Sequence, residues 1–250
     1  MPAPRLSLSQ VTKTYGSIRA VWNVDLEVYP GDFVAVFGPN GAGKTTLLGM
    51  IASLIRPTRG EVRLASENAP LDRSRVGYVS HKSLLYNELT SFENMLFYAR
   101  LYGLEGAPER ARRMVVQMGL EEAMDRPVAQ FSRGMKQRLT VGRALLHEPE
   151  ILLLDEPYTG LDRHGGRLLT GILEGLKEEG RTVLLITHNL DEGLELCTRA
   201  VIQHRGELVF QAPREHFDKF DFEDLYFQAV KLEKGAVHVA GTGVVGNRDR

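Results

Sequence analysis

The chain has 250 residues, 43% of them hydrophobic, with a formal net charge of −1. That is enough to bury one large domain, or a core with a subdomain. The near-zero charge excludes a global electrostatic pull toward nucleic acid or an anionic membrane. No apolar run approaches the ~20 residues that span a bilayer. Met1 to Gln10 lacks the apolar core of a signal peptide, so a soluble, intracellular protein is expected. The single cysteine, Cys197, excludes an internal disulfide and reads as a buried small hydrophobe.

In chain order, Arg5 to Val11 alternates apolar and polar residues, the pattern of a strand with one exposed face. Ala20 to Val28 predicts a second strand, ended by Pro30-Gly31. The continuous run Phe33 to Phe37 predicts a buried strand, followed by a helix from Thr45 to about Ile55. Pro57 and Gly60 mark a turn before a short strand over Glu61 to Leu64. Residues 66 to 75 are polar and predicted as loop, and Val76 to Val79 is a further buried strand.

The pattern changes near residue 90. Ser91 to Leu101 and Pro108 to Met118 carry Phe, Leu, Met and Val at helical spacing, and Pro108 suits a first turn. Ser132 to Leu146 predicts another helix, stopped by Pro149. This block, about 88 to 148, reads as a helical subdomain inserted in an α/β core. Strand and helix then alternate: Ile151 to Leu154, a helix from about Asp162 to Glu179, Thr182 to Thr187, and a helix from Leu190. Such alternation implies a parallel, helix-covered sheet. Val201 to Gln203 and Leu208 to Phe210 flank a predicted hairpin turn. Phe222 to Leu232 predicts the last helix. One domain is therefore expected over 1 to 232, with 233 to 250 a loose tail.

The chemistry begins at Gly38-Pro39-Asn40-Gly41-Ala42-Gly43-Lys44-Thr45-Thr46, which fits G-x-x-x-x-G-K-[ST]. It lies between a predicted strand and a predicted helix, the context a phosphate-binding P-loop requires. Glycines let backbone N–H groups point inward, and the helix adds its positive end. Lys44 is placed to reach the β- and γ-phosphates, and the Thr45 hydroxyl to bind Mg²⁺. A metal carboxylate and a water-handling group follow in Ile151-Leu152-Leu153-Leu154-Asp155-Glu156-Pro157. Asp155 is expected in the Mg²⁺ shell and Glu156 as the catalytic base that polarises water. Thr182 to His188 is another buried strand ending in a polar residue. His188 is expected beside Glu156, hydrogen-bonding the γ-phosphate and the water.

With these motifs, the stretch from about Arg5 to Phe210 resembles the ATPase subunits of ABC transporters. Phe131-Ser132-Arg133-Gly134-Met135-Lys136-Gln137-Arg138 aligns with the family signature, usually LSGGQ-x-Q-R, with Ser132 and Gly134 matching. Arg133 stands in place of Gly, open to a phosphate contact or to solvent. The resemblance implies an α/β P-loop NTPase core of mostly parallel sheet, an N-terminal antiparallel β-subdomain and an inserted α-helical subdomain. It implies ATP and Mg²⁺ as cofactors, with Tyr15 stacking on adenine and Leu161-Asp162 in the D-loop. It implies a second ATPase subunit, expected to be identical, whose Ser132 and Gly134 face this chain's ATP. It also implies integral membrane transporter subunits at the cytoplasmic face of a cell membrane, and no nucleic acid. His81 stands where the family has Gln, a softer candidate ligand for the metal. His81, the segment Leu84 to Asn94 and the Ser132 to Met135 signature resemble the ATPase subunit of cytochrome c biogenesis haem exporters. Exporters of drugs, lipids or polysaccharides share most of these features. A soluble ABC ATPase acting on nucleic acid or the ribosome is the remote alternative.

Overall fold

A computed structural model describes residues 3–64 and 73–231. The predicted tail and most of the predicted 66 to 75 loop lie outside the described residues. β1 (Leu6–Tyr15) and β2 (Ile18–Val28) pair antiparallel. β3 (Phe33–Phe37) leads through the glycine-rich loop into α1 (Lys44–Ile51), and β4 (Arg59–Leu64) returns to β1. β1, β2 and β4 form a three-stranded antiparallel sheet in the order β2-β1-β4.

The second sheet is built from β3, β5 (Val76–Val79), β6 (Ile151–Asp155), β7 (Thr182–Ile186), β8 (Arg199–His204) and β9 (Glu207–Pro213). Its order is β5-β6-β7-β3-β8-β9, parallel throughout except that β9 runs antiparallel to β8. Every residue of β3, β6 and β7 is buried, which is why these strands read as unbroken apolar runs. Successive side chains still point to opposite faces. Val34, Val36, Ile151, Leu153, Leu184 and Ile186 pack with α1 and the antiparallel sheet. Phe33, Leu152, Leu154, Val183 and Leu185 pack with α5 (Arg163–Glu178) and the helical block. Ala35 and Phe37 face α6 (Leu190–Leu196) and α7 (Lys219–Lys231), where Phe222 is fully buried. Truncating any one of these leucines to alanine costs about 2–5 kcal/mol.

The inserted block holds α2 (Ser91–Leu101), α3 (Ala107–Gln117) and α4 (Arg133–Leu145), with two short 3₁₀ turns at 121–123 and 128–130 between α3 and α4. Thr90 starts α2 with a capping box: its hydroxyl accepts from Glu93 N–H and the Glu93 carboxylate accepts from Thr90 N–H.

Four of the boundaries that differ from expectation have a visible local setting. β1 continues to Tyr15 because Gln10, in the left-handed region at φ +47°, makes a bulge that breaks the alternation without ending the strand. α1 stops at Ile51, since Ser53 has φ +55° and the Leu54 and Ile55 N–H groups turn back to the Gly49 carbonyl. α7 begins at Lys219, where Asp218 accepts from the Asp221 N–H. β9 extends to Pro213 along the edge of the sheet. Among the described residues no helix is long and apolar enough to cross a membrane.

Candidate functional site

Because β3, β6 and β7 are parallel, their C-terminal ends share one edge of the sheet, and the candidate residues collect there. The loop after β3 cannot be built without glycine at two points. Gly38 has φ +155°, and a Cβ there would sit 2.1 Å from the Gln203 carbonyl oxygen. Gly43 has φ +101°, and a Cβ there would sit 1.9 Å from the Ala20 carbonyl oxygen. Gly43 precedes α1 without a side-chain cap, so the first-turn N–H groups are left for an anion. Asn40 and Gly41 are exposed at the rim, Pro39 and Thr46 are half-buried, and the Ala42 carbonyl accepts from Gly206 N–H at 2.9 Å. Lys44 is buried at the base. Its Nζ donates to the Gly38 carbonyl at 2.7 Å and the Pro39 carbonyl at 3.0 Å. Burial lowers its pKa, and the charges of Glu156 and Asp155 oppose that.

At the end of β6, buried Asp155 accepts from the Thr45 hydroxyl at 3.3 Å. Burial raises the Asp155 pKa; the Thr45 hydrogen bond pulls it down, Glu156 pushes it up, and His81 and Lys44 lower it. Thr45 and Asp155 thus bring two hard oxygen donors together, a set that fits Mg²⁺. His81 is exposed on the same side, close enough for its charge to act on Asp155, but offers nitrogen rather than oxygen.

Glu156 takes a left-handed backbone at φ +51°, rare for a side chain of this size and a strain of order 1–3 kcal/mol. Its N–H is tied to the Ile186 carbonyl at 3.0 Å. That conformation turns the carboxylate toward the end of β7, where His188 Nδ1 lies 2.7 Å from Oε2. Asn189, after His188, caps α6 by accepting from the Asp191 and Glu192 N–H groups, and its own N–H donates to the Thr187 hydroxyl. The cap fixes the backbone that carries His188. An Asn ahead of an apolar run was its sequence signal.

Ser132 and Gly134 lie elsewhere on the molecule. Ser132 caps α4, accepting from Met135 N–H at 3.2 Å. α4 packs on α2, α3, α5 and β5, whereas α1 packs on β2 and β6. A Cβ on Gly134 would sit 3.4 Å from the Gly165 Cα, so the first turns of α4 and α5 touch backbone to backbone. Arg133 is exposed at the start of α4. Its guanidinium lies on Gly160, 2.2 Å from where a Cβ would be, and Gly160 has φ +74°. Only glycine admits both the turn and the overlying arginine.

Tyr15 ends β1 with its ring half exposed and Lys13 Nζ 5.1 Å over it. The segment after His81 is organised by buried Asn94, whose amide donates to the Tyr86, Leu89 and Thr90 carbonyls and accepts from Tyr86 N–H. Phe92, Leu96 and Tyr98 pack into the helical block. Leu84, Tyr86 and Phe97 are exposed beside it, Tyr86 and Phe97 meeting edge to face at 4.9 Å. Cys197 is buried, and burial pushes its thiol up to about 11.

A glycine loop at a helix start, paired acids at the end of β6 and a histidine on the second acid define a P-loop nucleoside triphosphatase. The family described as "ABC transporter" matches residues 21–159. The chain is 38% identical to the Nod factor export ATP-binding protein I of Cupriavidus metallidurans, over 85% of this chain and 73% of that one. It is 35% identical to the bacitracin transport ATP-binding protein BcrA of Bacillus licheniformis, over 93% of this chain and 77% of that one. A solved dimeric ATP-binding cassette in a post-hydrolysis state, bound to ADP and Pi, matches with a TM-score of 0.75 at 31% identity, covering 85% of this chain and all of that one. The chain belongs to the ABC transporter family, as an ATP-binding subunit with ABC-type ATPase activity.

Proposed function

We propose that this chain powers an exporter, acting as a homodimer on the cytoplasmic face of a membrane through integral membrane partners. The observation that carries the hydrolytic part is the Glu156 carboxylate, aimed by its backbone and gripped by His188 beside the P-loop. The loop N–H groups and Lys44 bind the phosphates, Lys44 turning from the Gly38 and Pro39 carbonyls to do so. Thr45 and Asp155 hold Mg²⁺, which neutralises phosphate charge when bound. Glu156 accepts a proton from the attacking water while His188 holds the carboxylate in place, and ADP and phosphate leave. Tyr15 supplies the adenine platform. Ser132 of the partner subunit and Gly134 of the partner subunit close the site from the other side, as the dimeric state of the solved relative supports.

The exposed Leu84, Tyr86 and Phe97 form the contact to the membrane subunit, next to His81 where core and helical block join. The relatives named for Nod factor export and bacitracin transport favour a cargo among drugs, lipids or polysaccharides. A second cargo, haem, is favoured by His81, the 84–94 segment and the Ser132-Arg133-Gly134-Met135 signature. Purification from native membranes tests the proposal. An integral membrane protein is expected to co-purify, with ATP turnover stimulated by its cargo. Recovery of ribosomes or RNA instead overturns it, and stimulation by haem against an amphipathic saccharide separates the cargoes.

A further inference from the structure

Gln203 is the one polar residue in the buried centre of β8, and its side chain is wholly enclosed. Neither its amide nitrogen nor its amide oxygen has a hydrogen-bond partner. It lies directly beneath the P-loop. Its carbonyl oxygen is 2.1 Å from the place of a Gly38 Cβ, and its Nε2 is 3.0 Å from the place of a Gly43 Cβ. Three residues on, Gly206 donates to the Ala42 carbonyl and accepts from the Trp22 N–H. The β8 end and its turn thus underlie the loop from Gly38 to Gly43.

An unpaired amide in a dry site is costly, and a leucine in this apolar strand would avoid the cost. A second set of groups nearby changes its needs when nucleotide binds. The carbonyls of Gly38 and Pro39 are satisfied here by Lys44 Nζ. A triphosphate draws that ammonium away; the Pro39 carbonyl keeps the Ala42 N–H, but the Gly38 carbonyl loses its donor. We infer that Gln203 is a positioning residue for nucleotide binding: its Nε2 takes over a P-loop carbonyl released by Lys44. The unpaired amide is then a donor held in reserve, satisfied only in the phosphate-bound form of the loop. This rests on the P-loop's binding Mg-ATP.

The test is Gln203→Leu in the full chain, with Gln203→Met, unbranched and of similar length, as a second variant in case the first fails to fold. Thermal midpoint without nucleotide and Kd for Mg-ATP by calorimetry are read side by side. The expected result is a midpoint unchanged or raised, with Mg-ATP affinity weakened about tenfold, as for loss of one buried hydrogen bond. Opposed movement of the two is what a merely structural residue would not produce. An unchanged Kd, or midpoint and affinity falling together, overturns the inference. Failure of the wild-type chain itself to bind Mg-ATP overturns the nucleotide-binding reading beneath it instead.

Discussion

Glu156 is held twice, by a left-handed backbone and by His188. Replacing the carboxylate with an amide keeps the shape and removes the base. Glu156→Gln is expected to lower ATP turnover at least about 100-fold while preserving Mg-ATP binding. Size exclusion with ATP should then show an accumulated dimer; normal turnover would remove Glu156 from its role. Glu150 offers a residue-scale test of stability. It bridges Arg75 and Arg5, tying the start of β6 to β1. The Arg75 hydrogen bond lowers its pKa most, burial opposes this, and Arg5 adds to the lowering. A folded pKa below the unfolded one means stabilisation that is complete above the ordinary carboxylate value of 4.5 and lost as pH falls through the folded pKa. Glu150→Gln should cost about 1 kcal/mol at pH 7 in urea unfolding, shrinking toward zero in acid below that range. The placement of Asp155, Glu156 and His188 was legible in the sequence because each follows an apolar run, and that of Lys44 because a glycine-rich motif leads into it. That of Arg133 was not, because its resting place on Gly160 is a tertiary contact that no spacing announces.

At the scale of elements, caps and close approaches decide the geometry. Thr90→Ala removes one half of the α2 capping box and should destabilise by about 1 kcal/mol, read from the thermal midpoint. Gly193, in α6, lies so close to β3 that a Cβ would stand 2.5 Å from the Phe37 ring and 2.9 Å from Thr187 Cγ2. Gly193→Ala should cost about 1–3 kcal/mol and lift α6 from the sheet. Because α6 follows directly on His188, turnover should fall more than Mg-ATP affinity does. The helices of the inserted block were readable from their spacing. The extension of β1 past Gln10 was not, since a bulge scrambles the period-2 pattern that reveals a strand.

At the scale of the whole molecule, the order β5-β6-β7-β3-β8-β9 puts the P-loop strand between strands from the last third of the chain. Alternating strands and helices announced a parallel sheet, but not this order, because strand order is set by pairing between distant segments. Phe33 pairs with Val183, 150 residues downstream, and Phe37 with Ile202. During synthesis, then, the phosphate loop leaves the ribosome early but waits for its frame. Neither strand that flanks it exists until most of the chain has been made, and such distant pairings form slowly. Chains ending near residue 180 should leave Mg-ATP unbound in equilibrium dialysis, although every P-loop residue is present. Nucleotide capture therefore reports on completion of this sheet, and a nascent chain gains its ligand only after β7 and β8 have emerged.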